Sequence, residues 1–154
     1  MNPLHKAIDL SKTGLQFGGP FGAVVTRGDE VIGEGFNLVT VKHDPTAHAE
    51  IVAIRQACRF LKTHDLTGCV LYTSCEPCPM CLGAIYWAKL DKVVYAVTRK
   101  DAAEAGFADV EIRQQLSLPL EAQQIEFVQA LEPERIAART ILETWKTTPE
   151  KCTY

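Results

Sequence analysis

Apolar residues along the chain fall into alternating helical and extended patterns. Leu4, Ala7, Ile8 and Leu15 recur at helical spacing behind Asn2 and Pro3, which suit an N-cap and a first helical residue. Gly18-Gly19-Pro20 ends that helix. Residues 21–26 and 31–36 read as two strands, with Arg27-Gly28-Asp29-Glu30 as the turn. A loop over 37–45 carries Asn37, His43 and Asp44. Thr46 is placed to cap a second helix reaching about residue 61, with Ile51, Ile54, Cys58 and Leu61 inward. Residues 69–73 form a short apolar run, the pattern of a buried strand. Pro77 suits the first turn of a third helix running to about residue 88, and 93–97 is another buried strand. Residues 98–119 have no clear period, and 125–128 form a candidate last strand. Glu132-Pro133 then opens a C-terminal helix with Ile136, Ile141, Leu142 and Trp145 on its apolar side. The order αββαβαβ, followed by a less regular tail, predicts one α/β domain over 1–154, with helices on both faces of a mixed sheet.

Composition narrows the class. The 154 residues are 47% hydrophobic and 23% charged, which excludes a disordered or fibrous chain. No apolar run reaches the ~20 residues a membrane-spanning helix needs. The start, Met1-Asn2-Pro3-Leu4-His5-Lys6, has no apolar stretch behind it, so a cytoplasmic protein without a secretory signal is expected. Net charge is −3, and acids outnumber bases beyond residue 100, which argues against a nucleic-acid partner. Of six cysteines, three fall at 75, 78 and 81 among Pro77 and Pro79. Such a cluster in a chain with an adequate core suggests metal or redox chemistry, not disulfide staples.

Two short motifs carry the chemistry: His48-Ala49-Glu50 and Pro77-Cys78-Pro79-Met80-Cys81. Each opens a predicted helix. Cys78 and Cys81, three apart, share a helical face, and the positive helix end favours their thiolates. With His48 they make a three-ligand zinc site, one Zn²⁺ per chain, whose fourth position stays open to water. Two thiolates cancel the ion's formal charge, so a neighbouring base gains importance. Glu50 fits that role as proton shuttle from water to a ring nitrogen and then to a leaving amine. The pattern H-x-E…P-C-x-x-C is that of zinc nucleobase deaminases. Two readings compete. Cys75 as a fourth ligand would close a structural site, but leaves Glu50 without a role. A thioredoxin-like redox pair leaves both His48 and Glu50 without one.

The span from Asp44-Pro45-Thr46-Ala47-His48-Ala49-Glu50-Ile51 through Cys81-Leu82-Gly83-Ala84 resembles the cytidine deaminase-like superfamily. Gly19-Pro20-Phe21-Gly22-Ala23-Val24, Ile85-Tyr86-Trp87-Ala88 and Asp101-Ala102-Ala103-Glu104-Ala105-Gly106-Phe107 make it similar to bacterial guanine deaminases over almost its full length. The resemblance implies a three-layer α/β/α cytidine deaminase-like fold and conversion of guanine to xanthine with release of ammonia. It implies that Asn37 bonds the purine, that Phe21 and Trp87 flank it, and that the Ala49 backbone amide lines the pocket. Asp109 would accept from guanine's N–H donors. Tyr154 would reach the active site of the partner subunit in a domain-swapped homodimer. A tRNA adenosine deaminase, or a deaminase of another small ring such as cytosine or an aminotriazine, remains the alternative.

Overall fold

The computed structural model describes residues 2–154. The chain divides into two compact units, the first ending at Ile112 and the second running Arg113–Tyr154.

The first unit begins with α1 (Pro3–Gly14), capped by the Asn2 side chain, which accepts from the Leu4 N–H. Next come strands β1 (Gly22–Arg27) and β2 (Glu30–Phe36), a short α2 (Val39–Lys42) and α3 (Ala49–Leu61). Strand β3 (Cys69–Cys75), α4 (Pro79–Trp87), β4 (Lys92–Val97) and α5 (Arg99–Glu104) follow, and α6 (Val110–Leu116) spans the boundary between the units. Four strands form one mixed sheet in the order β2-β1-β3-β4. β1 is antiparallel to both β2 and β3, whereas β3 and β4 are parallel. β2, β3 and β4 therefore all point the same way.

That topology decides where a site can form. The carboxyl ends of β2, β3 and β4 lie along one edge of the sheet, beside the start of β1. Asn37, Glu76 and Phe21 follow or precede those strand ends directly, and Arg99 lies two residues beyond the end of β4. A crevice at the carboxyl ends of strands is where open α/β sheets bind ligands.

Helix α1 packs on one face of the sheet and α3 on the other, with α4 beside α3. The α3 face is the main core: Ala23, Val25 and Ile32 of the sheet meet Ala49, Ala53 and Ala57 of the helix. Gly33 and Gly35 allow this close approach. A Cβ on either would come within 2.3 Å of a carbonyl oxygen of α3. This contact seats the helix that begins at the His48 motif.

Several boundaries differ from the sequence expectation. Residue 46 does not cap α3, because the Thr46 N–H and hydroxyl both donate to Asp44 in a local turn, at 2.8 and 2.6 Å. His48 is the N-cap instead. Pro79, not Pro77, opens α4, and Cys78 is its N-cap. Leu15 lies beyond the last turn of α1 and is exposed. The ambiguous stretch holds α5 and α6.

The second unit holds a 3₁₀ turn (Leu120–Ala122) and α7 (Glu134–Thr147). No residue of α7 is buried, and its apolar Ile136, Ile141, Leu142 and Trp145 are exposed. Residues 125–128 form no strand. Their β-branched and aromatic composition suits a pleated, half-buried surface, but a strand needs a ladder partner, and this segment has none.

Candidate active site

Two helix starts converge on one point. His48 and Cys78 occupy the N-cap positions of α3 and α4, where a Ser, Thr, Asp or Asn would normally bond the first turn. Neither side chain makes such a bond. Both are turned to each other instead. His48 Nδ1 lies 3.6 Å from Cys78 Sγ and 3.6 Å from Cys81 Sγ. The three donor atoms all lie within 4.8 Å of one another.

These separations suit zinc. Bond lengths of about 2.0 Å to nitrogen and 2.3 Å to sulfur at a tetrahedral angle put the two donors ~3.6 Å apart. Mixed imidazole and thiolate donors also favour zinc over harder ions. Cys75 is not part of the cluster. Its thiol is buried and contacts the Thr98 carbonyl oxygen at 3.8 Å. That removes the expected fourth ligand of a closed structural site.

Glu50 stands beside the ligands in the first turn of α3, its Oε2 3.5 Å from Cys81 Sγ. It is 6% exposed, and burial raises its pKa above the ordinary carboxylate range. The thiols share their protons unequally when no cation lies between them. The bond from Cys81, helped by His48, pushes Cys78 down to about 4. Donating that bond, together with burial, raises Cys81. The same Cys78 thiolate raises His48. Cys75 is pushed up to about 11 by burial.

This asymmetry has a measurable consequence. In protein stripped of metal, Cys78 will react with a thiol-specific disulfide reagent at pH 6 well before Cys58, Cys69 or Cys75, because only its thiolate is populated there. Adding zinc will protect it, leaving exposed Cys152 as the accessible thiol. Mapping the labelled peptides checks this. Equal labelling of Cys75 and Cys78 would contradict the geometry.

A cavity of about 320 Å³ opens over these groups, near the small end of the range for ligand pockets. Phe21, Asn37 and Asp109 line it with His48, Glu50 and Cys78. Asn37 is buried and its Oδ1 accepts from the Val39 N–H at 3.0 Å, which leaves the Nδ2 end to donate. Phe21 meets Phe107 edge to face, with ring centres 4.9 Å apart and planes at 87°. Two expected contacts are not part of this lining. Ala49 is fully buried in the core. Trp87, at the end of α4, is 65% exposed and lies off the cavity. Tyr154 belongs to the second unit and is exposed.

Sequence reasoning gives no role to Glu76, Arg99 or Ile112 of the cavity wall, and Met80 and Phe107 enter it only as parts of motifs. The parallel register of β3 and β4 brings Glu76 and Arg99 together, and no local pattern reveals that.

Residues 2–97 match the cytidine and deoxycytidylate deaminase zinc-binding region. The chain belongs to this family of zinc-dependent deaminases. Within it, the chain is 46% identical over 153 residues to the guanine deaminase of Bacillus subtilis (strain 168), covering 98% of this chain and 96% of that protein. It superposes on the X-ray structure of guanine deaminase from Bacillus subtilis with a TM-score of 0.93, covering 100% of this chain and 99% of that one. A guanine deaminase from Nitrosomonas europaea is 34% identical with a TM-score of 0.66, over 70% of this chain and 64% of that one. The tRNA-specific adenosine deaminase of Aquifex aeolicus (strain VF5) is 43% identical, but over only 81 residues, or 53% of this chain and 54% of that protein. The likeness to the Bacillus protein extends through both compact units.

Proposed function

We propose that this protein hydrolyses guanine to xanthine and ammonia. One observation carries the reading: a single cavity is lined by His48 and Cys78 of the three-donor cluster that Cys81 completes, by the buried Glu50, and by the polar pair Asn37 and Asp109. The full-length likeness to a guanine deaminase supports the choice of base.

Zinc held by His48, Cys78 and Cys81 supplies a Lewis acid that makes water nucleophilic near neutral pH. Glu50 does the proton work. It takes a proton from the water as the oxygen bonds to C2. It passes that proton to the adjacent ring nitrogen, and the next to the amino group as the C2–N bond breaks and ammonia leaves. The Asp109 carboxylate accepts from guanine's ring N–H and amino group, and Asn37 Nδ2 donates to a purine acceptor. Phe21 and Phe107 supply an apolar wall for the flat ring. A base with the wrong donors would not match the Asp109 acceptor and the buried Asn37 donor, which gives strong discrimination. Mass spectrometry of the product tests the reaction: xanthine and ammonia in equal amounts from guanine support it, and an unchanged base refutes it.

The protein acts as a homodimer in which the second unit packs on the partner subunit, so that both units together complete one deaminase domain. The exposed apolar side of α7, and the exposed Tyr86, Trp87, Tyr95 and Val97 of the first unit, support a covered surface. Tyr154 of the partner subunit then reaches the cavity. Mixed dimers test this. A Glu50→Gln chain and a chain lacking Tyr154, each impaired alone, will regain activity when refolded together, because one site then has Glu50 with Tyr154 of the partner subunit. Failure to regain activity, or a concentration-independent monomer mass, overturns the swap.

No helix among the described residues is long and apolar enough to cross a membrane. Cys78 and Cys81 must stay reduced to hold the metal, which supports a reducing cytoplasmic setting.

A further inference from the structure

The cavity wall comes from two separate stretches of chain. One is the loop from β3 into α4, which carries Cys78. The other runs from Arg99 to Ile112 and carries Phe107 and Asp109. Productive geometry requires these stretches to stay in register, since displacements near 1 Å cost about 10²-fold in rate.

The β3–β4 ladder holds them together only as far as Cys75 and Val97. Just beyond it stands Glu76. Its N–H donates to the Val97 carbonyl oxygen at 2.8 Å. Its carboxylate Oε2 accepts the N–H of Arg99 at 3.0 Å. Arg99 is the first residue of α5, where N–H groups have no partner within the helix and a negative charge is favoured. Pro77 restricts Glu76 to extended backbone, which helps aim the side chain. On the far side, Thr98 and Asp101 close a capping box that keeps the first turn of α5 intact. Glu76 lines the cavity but is not among the clustered metal donors.

We propose that Glu76 is a positioning residue: its carboxylate clamps the start of α5 to the metal-ligand loop and so sets where Phe107 and Asp109 stand relative to Glu50. The inference rests on the guanine reading for its kinetic part and on the hydrogen bonds alone for its structural part.

The bond can be cut from either end in the zinc-loaded, full-length protein. Glu76→Ala removes the acceptor, whereas Glu76→Gln retains an acceptor oxygen. Arg99→Pro removes the donor at a first-turn position where proline is tolerated, and Thr98 already has the extended backbone (φ −88°, ψ 166°) that a following proline requires. Arg99→Ala keeps the N–H and controls for loss of the guanidinium. The readouts are zinc content, kcat and KM for guanine, and amide hydrogen exchange of the 97–105 segment.

Glu76→Ala will keep one zinc per chain, raise KM about tenfold with a smaller change in kcat, and speed exchange in 97–105. Glu76→Gln will restore KM to within about threefold of the parent. Arg99→Pro will raise KM beyond Arg99→Ala, and that extra rise will vanish in the Glu76→Ala background. The proposal is overturned by unchanged KM and exchange in Glu76→Ala, by glutamine being as harmful as alanine, or by additive effects of the two cuts. A parent protein inactive on guanine would refute the functional reading instead, and the exchange data would still decide whether Glu76 is the clamp.

Discussion

Replacing Glu50 by glutamine leaves a folded protein with one zinc per chain that releases ammonia at least about 10³-fold more slowly. Positioned proton transfer contributes roughly 10²–10⁴-fold, and Glu50 serves both the addition of water and the departure of the amine. Glutamine has nearly the same shape and cannot shuttle a proton. The fold does not need the charge: Glu50 is buried and burial raises its pKa. A raised folded-state pKa has a definite sign. In metal-free protein its contribution to stability is complete below the ordinary glutamate value of 4.5 and is lost as pH rises through the higher folded value. At neutral pH the metal-free wild type has therefore lost some of that contribution, whereas the variant has no such group to lose. Metal-free Glu50→Gln will melt at or above the wild type at pH 7, and the two will converge below pH 4.5. Assays of ammonia release with zinc analysis, and calorimetry of the stripped proteins, check both parts. A fully active Glu50→Gln protein would refute the mechanism.

Cys81→Ala will abolish activity by a different route, through loss of the metal. Its Sγ is fully buried in the first turn of α4 and 3.6 Å from His48 Nδ1. Removal leaves two donors, too few to hold zinc against a chelator. Zinc content will fall to near zero and the rate by about 10³-fold or more, since both the Lewis acid and the activated water are lost. Cys75→Ala is the informative contrast. It sits three residues before Cys78 yet turns toward Thr98, so this variant will keep its zinc. Metal loss in Cys75→Ala to the same degree would mean a closed four-ligand site and no open position for chemistry.

The site was legible because its chemistry is local in sequence. His48-Ala49-Glu50 and Cys78-Pro79-Met80-Cys81 each fit one turn at a helix start, so spacing alone sets which residues can share an ion. The helix starts themselves were misplaced by two residues. Thr46 is a good cap in isolation, but Asp44 claims it. Pro77 and Pro79 both suit a first turn, and only the convergence of the two ligand sets selects Pro79. The mixed sheet followed from the order of elements, yet the fifth strand at 125–128 did not form, because strand formation depends on a partner that composition cannot supply. The far wall was least legible. Asp109 came from family resemblance, while Glu76 and Arg99 became visible only when β3 and β4 were paired. Trp87 likewise came from family resemblance, and the end of α4 leaves it exposed.

The central claim is that this cavity is built for guanine. The most direct measurement is kcat/KM for ammonia release by zinc-loaded protein from guanine, adenine, cytosine, cytidine, an aminotriazine and a tRNA bearing the target adenosine. The account predicts that guanine leads every other substrate by about 10³-fold or more, because guanine alone among them offers both the N–H donors that suit Asp109 and an acceptor for Asn37 Nδ2 in one ring. Faster turnover of another ring would retain zinc and Glu50 but contradict the assigned base contacts, and silence on every substrate at full zinc content would contradict the account as a whole.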